Sequence, residues 1–125
     1  MSHIEKFADN VATEVLGAAP SGEANPSGWI EIITIIVPVV LEVIKNCQNR
    51  SNKRLLSTIR KPGLVNKLRF RRIVRNQIRE EGGKWSNRLD DIVGAFEDVV
   101  KDSDDDKLMD VIKEAKGVED DYWLI

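Results

Sequence analysis

Residues 29–46 read WIEIITIIVPVVLEVIKN, and the fold turns on whether this stretch is strand or helix. Its abundance of Ile and Val favours strand by composition alone. The polar positions decide otherwise. Glu31, Thr34, Pro38, Glu42 and Lys45 follow one another at steps of 3, 4, 4 and 3, which at about 100° per residue gathers them into one narrow stripe of a helix. A strand would scatter them over both faces. The spacing predicts a helix bent at Pro38, where the ring removes a hydrogen bond and crowds the preceding turn. Nearly all of the remaining circumference is apolar, so this helix must be buried on several sides. Trp29, Ile33, Ile36, Val40 and Val43 are its expected partner-binding residues, packing on copies of the chain or on another subunit. A membrane ranks behind these. The apolar run over residues 29–44 is sixteen residues long and contains two glutamates, short of the roughly 20 needed to cross. Basic residues follow it as they follow cytoplasmic membrane ends, with Trp29 placed like an interfacial anchor.

Working back from this helix, residues 17–28 (GAAPSGEANPSG) have the composition of a flexible linker. Before it, Ser2 and Glu5 have the spacing of a capping box, and Ile4, Phe7, Ala8, Val11 and Val15 recur at helical intervals. Residues 1–16 are therefore expected to form an amphipathic helix over 3–16, stopped by Gly17. On such a linker, the helix is expected to reach out and dock on a neighbouring chain.

Working forward, the charge changes abruptly. Between residues 45 and 79 there are twelve Lys and Arg and no Asp or Glu. Residues 1–44 sum to −5 and residues 80–125 to −9, so the overall charge of −2 conceals a block of +12. Such a block must meet a polyanion, an acidic protein surface, an anionic membrane or its own acidic flanks. In residues 47–81, CQNRSN reads as a turn, with a short helix over 53–60 stopped by Pro62 and Gly63. A longer helix over 64–81 follows, ended by Gly82 and Gly83. Phe70, Val74 and Ile78 fall on its inner side, with Arg69, Arg72, Asn76 and Arg79 opposite and Arg71 and Arg75 at the flanks. The expected nucleic-acid or polyanion-binding residues are Arg50, Lys53, Arg54, Arg60, Lys61, Lys67, Arg69, Arg71, Arg72, Arg75 and Arg79. Guanidinium groups bind phosphates in pairs, and a helix that presents them every turn can follow a backbone. The block carries no helix-turn-helix, zinc-finger or RNA-sheet signature.

Residues 82–125 read as an acidic helical pair with an acidic, aromatic tail. Leu89, Ile92, Val93, Phe96, Val99 and Val100 give a core face over 86–101, with Asp90 and Asp91 in the first turn, where the helix dipole favours them. A second helix is expected to begin at Ser103, face Leu108, Met109, Ile112 and Ala115 inward, and close at Gly117. The tail, VEDDYWLI, sets three acids ahead of Tyr122, Trp123, Leu124 and Ile125, a composition suited to docking on a partner. Asp102, Asp104, Asp105 and Asp106 fail the calcium-loop pattern, because Lys107 stands where glycine is needed and Lys113 where glutamate is needed.

A chain of 125 residues allows one modest core. Cys47 and His3 are the sole cysteine and histidine, so no intramolecular disulfide or conventional zinc site can form, and no nucleophile–base pair is spaced for catalysis. No metal or cofactor is implied. The lone cysteine and the lack of a basic-then-apolar leader point to an intracellular setting or a viral particle. The fold class expected is all-α, a small domain of about five helices with its N-terminal helix on a flexible linker. The function expected is that of a non-enzymatic subunit of a larger assembly, such as a minor virion or nucleoprotein component. It would be anchored by 29–46 and grip nucleic acid or an acidic partner through its basic segment. A free nucleic-acid-binding regulator with an autoinhibitory acidic tail is the alternative, and a membrane-associated protein held by 29–46 the third. Expected partners are other protein subunits and copies of itself, then nucleic acid, then a membrane.

Overall fold

The computed structural model describes residues 2–17, 26–47, 49–60 and 67–123, with side chains placed from Gly28 in the second stretch and as far as Gly117 in the last. Among the described residues the chain is all-α. The helices are α1 (His3–Gly17), α2 (Pro26–Lys45), α3 (Asn52–Arg60), α4 (Lys67–Glu80), α5 (Leu89–Asp102) and α6 (Asp105–Trp123), with a 3-10 turn at Ser86–Arg88 before α5. That makes six helices where about five were expected.

The stretch 29–46 is helical, and α2 is the centre of the fold. Ile32, Ile35, Ile36, Val39, Val40 and Ile44 are buried within it, and it packs against α1, α4 and α6. Its polar stripe faces outward: Thr34, Glu42 and Lys45 are exposed, and Glu31 and Pro38 half-buried. The helix continues through Pro38 to Lys45 and starts at Pro26, three positions before Trp29. Proline suits a first helical turn, where its missing N–H has no partner to lose. The expected linker therefore yields residues 26–28 to the helix, and residues 18–25 lie outside the described residues.

α1 corrects a second expectation. It does not reach to a neighbour but is built into the core of its own chain. Ile4, Phe7, Ala8, Val11, Ala12, Val15 and Leu16 are all buried, against α2, α5 and α6. The small side chains of Ala8 and Ala12, both fully buried, sit on this inward face. At its N-terminus Ser2 Oγ accepts the Glu5 amide at 3.1 Å, half of the expected capping box. The other amides are capped from far away in sequence: Glu114 of α6 accepts the His3 amide at 2.9 Å and the Ile4 amide at 3.1 Å.

An aromatic cluster joins three helices at mid-core. The Phe96 ring of α5 meets Phe7 of α1 edge-on at 5.0 Å and 71°, and Phe70 of α4 at 4.8 Å and 52°. No polar or charged residue among those described is buried in the core. Gly82 and Gly83 end α4 as expected, with φ of +96° and +76°, and the Gly83 amide returns to the Ile78 carbonyl at 2.9 Å.

The acidic half departs from its expected boundaries in three places. A 3-10 turn occupies 86–88, so α5 begins at Leu89. Asp104 caps α6, its Oδ1 accepting the Lys107 amide at 2.8 Å. Ser103 instead closes α5 by donating its hydroxyl to the Val99 carbonyl at 2.6 Å. Gly117 does not end α6, which runs on to Trp123.

Candidate functional site

The twelve cations of 45–79 enter the fold with equal charge and leave it with different roles. Arg60, at the end of α3, lies across the C-terminus of α5. Its Nη2 donates to the Ser103 carbonyl at 2.5 Å, its Nη1 to the Val100 carbonyl at 3.4 Å and its Nε to Asp105 at 2.7 Å. A cation there answers both the orphan carbonyls of the helix end and its negative dipole. Arg71, on the flank of α4, is paired with Asp90. Arg50 donates to the Thr58 hydroxyl at 3.0 Å, and its carbonyl receives Lys116 Nζ at 3.0 Å. These arginines hold the chain together. They were expected to hold a ligand.

What remains on α4 is a row. Arg72, Arg75 and Arg79 are exposed, and none of their side chains has a hydrogen bond or ion pair with any described residue. Arg75, expected at the flank, stands exposed with the other two. Their steps of 3 and 4 keep the three on one side of the helix, over a length of about 10 Å. One turn before them Leu68 extends the row, 75% exposed. The inner side of the same helix, Phe70, Val74 and Ile78, is fully engaged with the core. Lys67 and Arg69 are exposed at the start of α4, and Lys53 and Arg54 on α3, which packs on α5 and α6. Lys61 lies outside the described residues.

One arginine and one lysine elsewhere repeat the structural use. Arg88 donates to the Val15 carbonyl at the end of α1 at 3.0 Å and to Asp91 at 2.8 Å, with its guanidinium 6.0 Å from the Trp85 ring centre. Lys84 and Trp85 both donate to Glu31 of α2, at 3.2 and 2.8 Å. These two hydrogen bonds, Trp85 first, hold the Glu31 carboxyl below its ordinary pKa.

The acids are similarly sorted. Partial burial pushes the Glu114 carboxyl up, but the Ile4 and His3 amides, with the Ser2 hydroxyl and the nearby His3, together outweigh it, and its pKa falls below the ordinary value. Glu14 of α1 moves the other way. Desolvation first, then the charges of Asp98 and Asp102 on α5, raise it.

The expected partner-binding residues of α2 divide. Ile36 and Val40 are 0% and 3% exposed in the core of their own chain, which removes them as contacts for another subunit. Trp29, Ile33 and Val43 are half-buried, and the Trp29 indole donates to Asp9 of α1 at 2.7 Å. Tyr122 and Trp123 fall in the last turn of α6 with side chains outside the described residues, as Leu124 and Ile125 are altogether. Hollows accompany the core, and two of them lie among the described residues. One is a cavity of about 20 Å³ lined only by apolar side chains, among them Phe7, Val43, Phe96 and Ile112. The other is a cleft of about 350 Å³ between α1 and the start of α6, whose rim carries Lys6 and Lys107 but also Asp9 and Asp110. Neither presents a converging charge. No described helix is long and apolar enough to cross a membrane.

Among the described residues, fold and site thus define six α-helices with an exposed cationic row on α4. No protein-family model matches this sequence, and comparison with curated proteins and with solved structures returns no match to either.

Proposed function

We propose that this chain is a non-enzymatic contact protein that grips the phosphate backbone of nucleic acid with α4, as a subunit of a nucleoprotein assembly such as a virus particle. One observation carries the reading: Arg72, Arg75 and Arg79 stand exposed in one row, without a carboxylate partner among the described residues. Elsewhere in the block, arginines such as Arg60 and Arg71 have found acids or carbonyls. Steps of about 5 Å along the helix suit a polymer that offers a charge every ~3.4 Å of each strand. Contacts to phosphate carry no sequence information, so binding through this row is expected to be sequence-tolerant. A setting inside a cell or particle, with Cys47 reduced, agrees with this role. The anchoring once expected of α2 is withdrawn from the reading, because that helix is the chain's own core.

The test is binding to labelled duplex and single-stranded DNA across a salt series, beside Arg72→Ala/Arg75→Ala/Arg79→Ala. Three phosphate contacts on duplex predict a slope of about −3 in log affinity against log salt. The triple variant should lose most of that slope. No binding at low salt, or a triple variant that binds as the parent does, would refute the proposal.

A further inference from the structure

We infer that the row on α4 is a site for double-stranded nucleic acid and discriminates against single strands. This rests on the phosphate grip proposed above and adds the form of its ligand. The clue is how the aromatic rings around the row are used. From Lys53 to Lys84 the chain holds one aromatic residue, Phe70. Its ring is 3% exposed and packed on Phe96 at 4.8 Å, on the side of α4 opposite the arginines. The next ring along the chain is Trp85, and it is committed at both edge and face. Its indole N–H donates to Glu31 at 2.8 Å, and the Arg88 guanidinium lies over the ring, 6.0 Å from its centre.

Proteins that hold single strands stack the bases on aromatic side chains, and each stacked base contributes roughly five- to 150-fold in affinity. Around the row, the exposed side of α4 presents Arg72, Arg75, Asn76 and Arg79. Guanidiniums and an amide stand where a strand would need rings. Such groups suit a ligand whose bases are already stacked on one another and whose phosphates face outward.

Rigidity points the same way. Phe70, Val74 and Ile78 fix α4 to the core at 3%, 0% and 1% exposure. The three arginines therefore leave the helix at points about 4.5 and 6 Å apart along a fixed axis. A duplex holds its phosphates in place before it binds, and carries a charge per ~1.7 Å of axis against ~3.4 Å for one strand. A flexible strand must be ordered to follow the row. That ordering costs affinity, and no stacked base offsets it.

The test is binding of the full chain to a short labelled DNA duplex of mixed sequence and to each of its separated strands, at about 0.05 M salt. The duplex should bind about tenfold or more tightly than either strand. Arg72→Ala/Arg75→Ala/Arg79→Ala should lose most of the duplex affinity and with it the preference. Asn76→Trp, which sets a ring one turn from both Arg72 and Arg79, should raise strand affinity about fivefold or more and leave duplex affinity within about twofold. Strands bound as tightly as the duplex by the parent chain overturn the inference and leave the phosphate grip standing. A gap that Asn76→Trp does not narrow overturns it too, because missing rings would then not be its cause. Binding to neither form sinks the grip itself, and the choice of duplex with it.

Discussion

Arg60→Ala is expected to destabilise the fold by about 1.5–2 kcal/mol and to leave nucleic-acid affinity unchanged. The magnitude follows from three contacts. The bond to the Ser103 carbonyl, at 2.5 Å, is a charge-assisted bond at a helix end and contributes about 1 kcal/mol or somewhat more. The 3.4 Å approach to the Val100 carbonyl lies beyond the usual range and adds a few tenths of a kcal/mol at most. The Asp105 side chain is 71% exposed, so that ion pair is discounted to about 0.3 kcal/mol and should be lost in high salt. The assay is urea unfolding followed by far-UV circular dichroism, with a melting temperature lowered by roughly 5–9 °C as the thermal counterpart. Arg60→Lys should recover only a part, since an ammonium cannot span two carbonyls and a carboxylate as a planar fork does. The Arg72/Arg75/Arg79 triple alanine variant should do the reverse, staying within about 0.5 kcal/mol of the parent in stability while losing affinity for DNA. A cost below about 0.5 kcal/mol for Arg60→Ala, or a loss of DNA affinity as large as that of the triple variant, would refute this division of the basic block.

Three further predictions test the fold around the site. Glu114→Ala should cost about 1 kcal/mol by uncapping α1. Because the folded carboxyl titrates below its unfolded value of about 4.3, its contribution is present above that pH and lost as pH falls through the folded pKa, so the variant should show a shallower acid limb in a stability–pH profile. Glu14 has the opposite sign: its raised pKa favours the protonated form, an advantage present at low pH that disappears as pH rises through the folded value. Glu14→Gln should therefore raise the melting temperature at neutral pH and make no difference below about pH 4. Phe96→Ala removes the ring shared by Phe7 and Phe70 and should cost about 3–5 kcal/mol by urea unfolding.

The sequence reveals the helices more readily than their partners, and α1 and α2 show why. The 3 and 4 spacing of Glu31, Thr34, Pro38, Glu42 and Lys45 is a local property, and it identifies α2 against the β preference of its Ile and Val. Where a helix packs is not local. The Gly, Pro and Ser content of 17–28 describes a tether and says nothing of what lies at its end, so α1 read as a free arm. The missed signal was Ala8 and Ala12, small residues on the apolar face that permit close approach to another helix. Gly117 was misread for a related reason. Nothing lies within 4 Å of where its Cβ would be, so it has neither a packing role nor a positive φ, and it interrupts nothing; Gly82 and Gly83 adopt positive φ and do end their helix.

The same distinction separates the arginines. Each residue of 45–79 carries its charge whatever the fold, which is why the block could be seen at once. Its use depends on what the chain brings opposite: Arg60 meets a helix end more than 40 residues away, and Arg71 meets Asp90 across α4 and α5. Arg88, outside the block, closes α1 by the same device that Arg60 uses on α5. A helix C-terminus is a standing demand for cations, and in this fold the arginines facing inward meet it first. Arg72, Arg75 and Arg79, exposed on α4, meet no such carbonyl with their side chains among the described residues. Net charge alone therefore does not separate the cations that close the fold from those left exposed, and geometry does, setting Arg60 and Arg71 apart from Arg72, Arg75 and Arg79.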